Sequence, residues 1–101
     1  MTESAVRLVG PGELKLVGVL DFRTGPDLRK QGAALIKAGE LQDLVLDCSG
    51  VEKSSSVGLA LVLAFMRDAR DAGKSIRVQA LPEDMRKIAQ VSGLNELLDI
   101  H

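Results

Sequence analysis

Nine of the ten residues from Val57 to Met66 are apolar, and the tenth is Gly58. That run is about half the ~20 residues a membrane-spanning helix needs, so the chain must cover it with protein. Read as a helix ending near Ala72 and Gly73, it separates into two arcs at about 100° per residue. Gly58, Leu61, Val62, Phe65 and Ala69 share one arc, with Met66 at its edge and Leu59 borderline. This arc is expected to pack on a sheet. Arg67, Asp68, Arg70 and Asp71 mark the opposite, solvent-facing arc, and Val57, Ala60, Leu63 and Ala64 fall on that same side in the earlier turns. A helix apolar all round is normally buried all round, and a chain of 101 residues has no second layer to spare. A partner is the expected cover; burying about 300 Å² there would contribute roughly 7 kcal/mol before association costs. The alternative is cover by the chain's own N-terminal loop or C-terminal tail.

The remaining elements are short. Ala5–Val9 and Glu13–Leu20 alternate apolar and polar residues around Gly10-Pro11-Gly12, which predicts a hairpin. Thr24 offers an N-cap to a helix opened by Pro26 and Asp27, with Leu28, Gly32, Leu35 and Ile36 as its buried stripe and an end near Gly39. Leu44-Val45-Leu46, closed by Asp47, suits a central strand buried on both faces. A polar stretch from Cys48 to Ser56 then leads to the apolar helix. Ile76-Arg77-Val78 predicts another strand. Pro82-Glu83-Asp84 opens a third helix with Met85, Ile88 and Ala89 inward and Gly93 as its stop. Leu97, Leu98 and Ile100 close with a short strand or packed tail. The order β-β-α-β-α-β-α-(β) requires crossover connections, hence a small α/β domain with a mixed or largely parallel sheet of about four to five strands, helices on at least one face, and a single domain over 1–101.

Thirteen basic and fourteen acidic residues nearly balance, and Phe22 and Phe65 are the only aromatics. That excludes the basic stripe and stacking platform of a nucleic-acid binder. The first residues carry no signal-peptide pattern, and one cysteine, Cys48, cannot build an internal disulfide. The expected setting is cytoplasmic, without direct membrane insertion. His101 is the only histidine, so the serines have no base partner in sequence reach, and one Cys with one His makes no metal cluster. A catalytic role, a cofactor and a metal are therefore not expected. Of Ser54, Ser55 and Ser56, one serves as N-cap of the apolar helix, Ser54 or Ser55 being placed for it. A serine there is also a favourable place for a phosphate.

The stretch from Leu44 to Leu63, LVLDCSGVEKSSSVGLALVL, resembles the signature of the STAS domain family, a strand ending in Asp, a short loop and an Asp-[Ser/Thr]-[Ser/Gly]-Gly-Leu helix start. The closing Val91-Ser92-Gly93-Leu94 and its apolar tail resemble the family's usual end. Gly58-Leu59-Ala60-Leu61-Val62-Leu63 looks most like the MlaB-type (toluene-tolerance) branch, the STAS subunit of the Mla phospholipid-transport ABC system. The resemblance implies a STAS fold and a non-enzymatic cytoplasmic accessory subunit, peripheral to the inner membrane through its partner. It implies binding to the ABC ATPase subunit and support of outer-membrane lipid asymmetry. The expected contact set is Ser55, Ser56, Val57, Ala60, Leu63, Ala64 and Arg67. Ser56 matches the position phosphorylated in anti-sigma-factor antagonists, the alternative function. Ser55 stands where the family has an acid and Val57 where it has a small residue, and both departures weigh against a kinase switch.

Overall fold

Pro11 and Gly12, the latter at φ +71°, reverse the chain between two antiparallel strands, and the computed structural model describes residues 4–54 and 56–94. Its elements are β1 (Ala5–Gly10), β2 (Glu13–Leu20), α1 (Gly25–Ala38), β3 (Asp43–Ser54), α2 (Ser56–Asp71), β4 (Ser75–Gln79) and α3 (Glu83–Val91). The four strands form one mixed sheet in the order β1-β2-β3-β4, with β2–β3 and β3–β4 parallel. The crossovers are α1 and α2, as the order of patterns requires. The expected last strand at Leu97–Ile100 lies outside the described residues.

Burial alternates along the two central strands. Leu14, Leu16 and Leu20 of β2 and Leu44, Leu46 and Cys48 of β3 are buried, while Lys15, Val17, Val45 and Asp47 between them are half-exposed. Among the described residues, helices therefore cover one face of the sheet. The expectation that Leu44-Val45-Leu46 is buried on both faces is overturned at Val45, which sits beside Arg77 and Glu13 on the helix-free face. α1 packs on β1 and α2, and α2 packs on β3, β4 and α3.

Two local expectations change. Thr24 precedes α1 but makes no side-chain cap; its hydroxyl accepts from the Asp21 amide at 3.0 Å and donates to Val19 O at 2.9 Å, closing a turn instead. A threonine hydroxyl bonds nearby backbone as readily as a helix end. The far end of α1 also lacks a left-handed cap, since Gly39 is extended. The Lys74 ammonium supplies donors to Ile36 O and Gly39 O there, a cation at the negative helix end. By contrast α2 stops as expected: Gly73 takes φ +73°, and the amide of Lys74 returns to Ala69 O at 2.8 Å. α3 ends similarly at Gly93, with Met85 and Ala89 buried and Ile88 half-buried.

Candidate docking site

The polar stretch expected as a loop is mostly strand. β3 continues through Ser54, with Gly50, Val51, Lys53 and Ser54 in register with Val17, Gly18, Val19 and Leu20 of β2. α2 then starts at Ser56, so its first turn is fixed to the end of the sheet. Gly58 makes that join, because a Cβ there would collide with the Ser54 hydroxyl and crowd Leu20. Ser55 lies outside the described residues, and its expected capping and contact roles with it.

The remaining residues of the expected contact set all lie on α2. Ser56 and Ala60 are exposed, Val57, Leu63 and Ala64 are half-buried, and Arg67 is exposed a turn further on. Leu59, borderline by its helical angle, is buried with Gly58, Leu61, Val62, Phe65 and Ala69. The outward face is thus less greasy than expected. Val57 meets the backbone of α1, its Cγ1 lying 3.3 Å from where a Gly25 Cβ would stand. Leu63 packs against the core from its partly buried position. The cover over Val57 is α1, which no residue pattern places there.

What remains is a ridge between two depressions. On the α1 side, Val57, Ala60 and Ala64 face Phe22, Pro26 and Arg29 across a hollow of about 390 Å³. On the other side, Leu63, Met66, Arg67 and Arg70 line one of about 350 Å³. Among the described residues, Leu63 and Arg67 thus line a different hollow from Val57, Ala60 and Ala64. Phe22 and Pro26 were missed in the sequence, because Phe22 is an isolated apolar residue in a polar link and belongs to no periodic stripe.

An ion pair bridges the two helices beside the first hollow. Arg29 of α1 grips Asp68 of α2 through two bonds, Nε to Oδ2 at 3.1 Å and Nη2 to Oδ1 at 3.0 Å. The hydrogen bonds to Asp68 raise the Arg29 pKa, against a smaller desolvation. Asp21 is held below its ordinary carboxylate value first by the backbone amide of Arg23 and then by that of Thr24. Cys48 is fully buried, and desolvation pushes its thiol up to about 12, so it is no nucleophile at neutral pH. Among the described residues no group of three His, Cys, Asp or Glu could hold a metal, and no helix is long and apolar enough to cross a membrane. A ridge of small residues between two hollows suits contact with another protein.

Comparison with known proteins finds the family described as "Mlab, STAS domain" over residues 5–99. A chain of the Acinetobacter MlaFEDB complex, solved in an ATP-bound Vtrans2 conformation, superposes with a TM-score of 0.78 at 27% identity over 88% of this chain and 93% of that one. The anti-sigma F factor antagonist of Lysinibacillus sphaericus is 33% identical over 80% of this chain and 69% of its own length. The unphosphorylated form of the anti-sigma factor antagonist SpoIIAA shares the fold, with a TM-score of 0.69 at 22% identity over 90% of this chain and 81% of that one.

Proposed function

Because the chain belongs to the MlaB-type STAS domain family, we propose that it is a non-enzymatic accessory subunit of a phospholipid-transporting ABC complex. In this reading it binds the ATPase subunit through the ridge of α2, works on the cytoplasmic side of the inner membrane, and serves outer-membrane lipid asymmetry. The observation that carries the reading is the likeness to a chain of the Acinetobacter MlaFEDB complex over 93% of that chain's length. The surface supports it: Val57, Ala60 and Ala64 offer a low apolar ridge that starts beside the Ser56 hydroxyl, and Arg67 adds a charge to its outer side.

The test is co-expression of the full chain with the cognate ABC ATPase subunit and capture through a tag on the chain. Ala60 is exposed, so Ala60→Glu leaves stability within about 0.5 kcal/mol while placing a charge on the ridge. Wild type retains the ATPase and its membrane subunits, and Ala60→Glu loses them. Equal capture by both removes the ridge from the contact.

One observation favours a second reading. Ser56 is exposed at the first residue of α2, and the 33% identical relative is an anti-sigma F factor antagonist. In that reading a phosphate on Ser56 adds about two negative charges to the contact and blocks it. Capture of a small ATP-binding serine kinase, with a phosphorylated species dominant in intact mass from cells, would support it over the transporter reading.

A further inference from the structure

Resting on the docking reading above, we propose that Phe22 is the anchor of the contact, entering an apolar socket of the partner protein whose rim carries a carboxylate opposite Arg23. Phe22 is 77% exposed in the short link between β2 and α1. Exposed single apolar residues are ordinary, but this one is held on a rigid turn. The Asp21 carboxylate accepts from the amides of Arg23 at 2.9 Å and Thr24 at 3.1 Å, and the amide of Gly25 reaches Asp21 O at 2.9 Å. The Thr24 hydroxyl ties the same turn to Val19 O. A ring with two side-chain torsions on a fixed backbone loses little freedom on binding, which is what makes an aromatic an effective contact residue.

Its position continues the α2 ridge. Phe22 borders the hollow that Val57, Ala60 and Ala64 line from the other side, so one partner surface can meet both. The surrounding charge indicates the partner's chemistry. The Arg23 guanidinium lies 5.9 Å from the Phe22 ring centre, and its side chain is 76% exposed with a single 3.4 Å contact to Asp21. Arg29, on the α1 side of the hollow, is paired with Asp68, the exposed Asp27 stands in the first turn of α1, and Arg67 and Arg70 line the hollow on the other side of α2. Arg23 is therefore the exposed guanidinium beside Phe22, and a carboxylate on the rim of the partner's socket complements it.

The probe is the ABC ATPase subunit titrated with the full chain. Phe22→Ala is expected to weaken binding at least about tenfold with an unchanged thermal midpoint, while Phe22→Leu stays within about threefold of wild type. Arg23→Glu is expected to weaken binding as well, and tighter binding by it would overturn the acidic rim. If Phe22→Ala binds within about twofold of wild type while Ala60→Glu abolishes binding, the anchor is wrong and the docking reading stands. If wild type does not bind, or Ala60→Glu binds like wild type, the docking reading falls and the anchor falls with it.

Discussion

Cys48 has none of its surface exposed and closes the buried row of β3 that begins with Leu44 and Leu46. Burial raises its thiol first, and the neighbouring Asp47 charge adds to the effect, taking it from 9.0 to about 12. An unfolded chain releases this proton near the ordinary thiol value, while the folded chain keeps it. The unfolded state then binds fewer protons, so stability falls as pH rises between about 9 and 12, by on the order of 1 kcal/mol per pH unit from this group. Below that window both states hold the proton and the group contributes no slope. Urea midpoints from pH 8 to pH 10.5 are expected to fall more steeply for wild type than for Cys48→Ala. Parallel slopes in the two proteins would mean that the thiol ionises in the folded state as it does in the unfolded one. Side chains of this kind are legible in sequence, since an apolar strand with one cysteine points to burial. Thr24 was not, because its hydroxyl had two local uses and the turn won over the helix cap.

At the scale of elements, the α1–α2 crossing is set by Gly32, where a Cβ would run into the ring of Phe65. Two effects oppose each other in Gly32→Ala. Helix propensity gains about 0.5–1 kcal/mol, and overpacking a filled contact costs about 1–3 kcal/mol. Overpacking wins, and the variant is expected to lose about 1–2 kcal/mol with an unchanged denaturant slope. Combining it with Phe65→Leu should recover part of the loss, and a Gly32→Ala protein more stable than wild type would show that the helices can separate freely there. The hairpin, the end of α2 and the inner stripe of α3 were readable because each rests on local chemistry: turn residues, glycine at a helix stop, apolar spacing. The second half of β3 was not readable. Ser49, Glu52 and Lys53 are exposed, so the segment has no apolar alternation, and it is strand because its backbone pairs with β2 from Gly50 to Ser54. Partnership of that kind is a property of the ladder and leaves no trace in side-chain pattern. For the same reason the cover of Val57 by Gly25 could not be foreseen, since it depends on how close α1 approaches.

For the whole molecule, the sheet is covered on one face, and the ends of β2 and β3 hand the chain to α1 and α2 at the same side. That side carries Phe22, Ser56 and Val57. Substitutions there must be chosen so that fold and contact respond separately. Leu63→Asp fails this requirement, because Leu63 packs against the core and its loss of binding would be confounded with unfolding. Ser56→Asp meets it. α2 has no acid in its first turn, so a carboxylate at Ser56 is favoured by the helix dipole by about 0.3–1 kcal/mol, and the thermal midpoint should hold or rise. The same charge lies on the contact ridge, so capture of the partner should fall. Opposite signs in the two measurements identify Ser56 as part of the contact; unchanged capture by a stable Ser56→Asp protein would remove it. Ser56→Ala then separates the two functions. A constitutive docking edge loses only a hydroxyl, and capture from cells should equal wild type. A phosphorylation switch loses its off state, and capture should rise several-fold in proportion to the phosphorylated fraction it replaces.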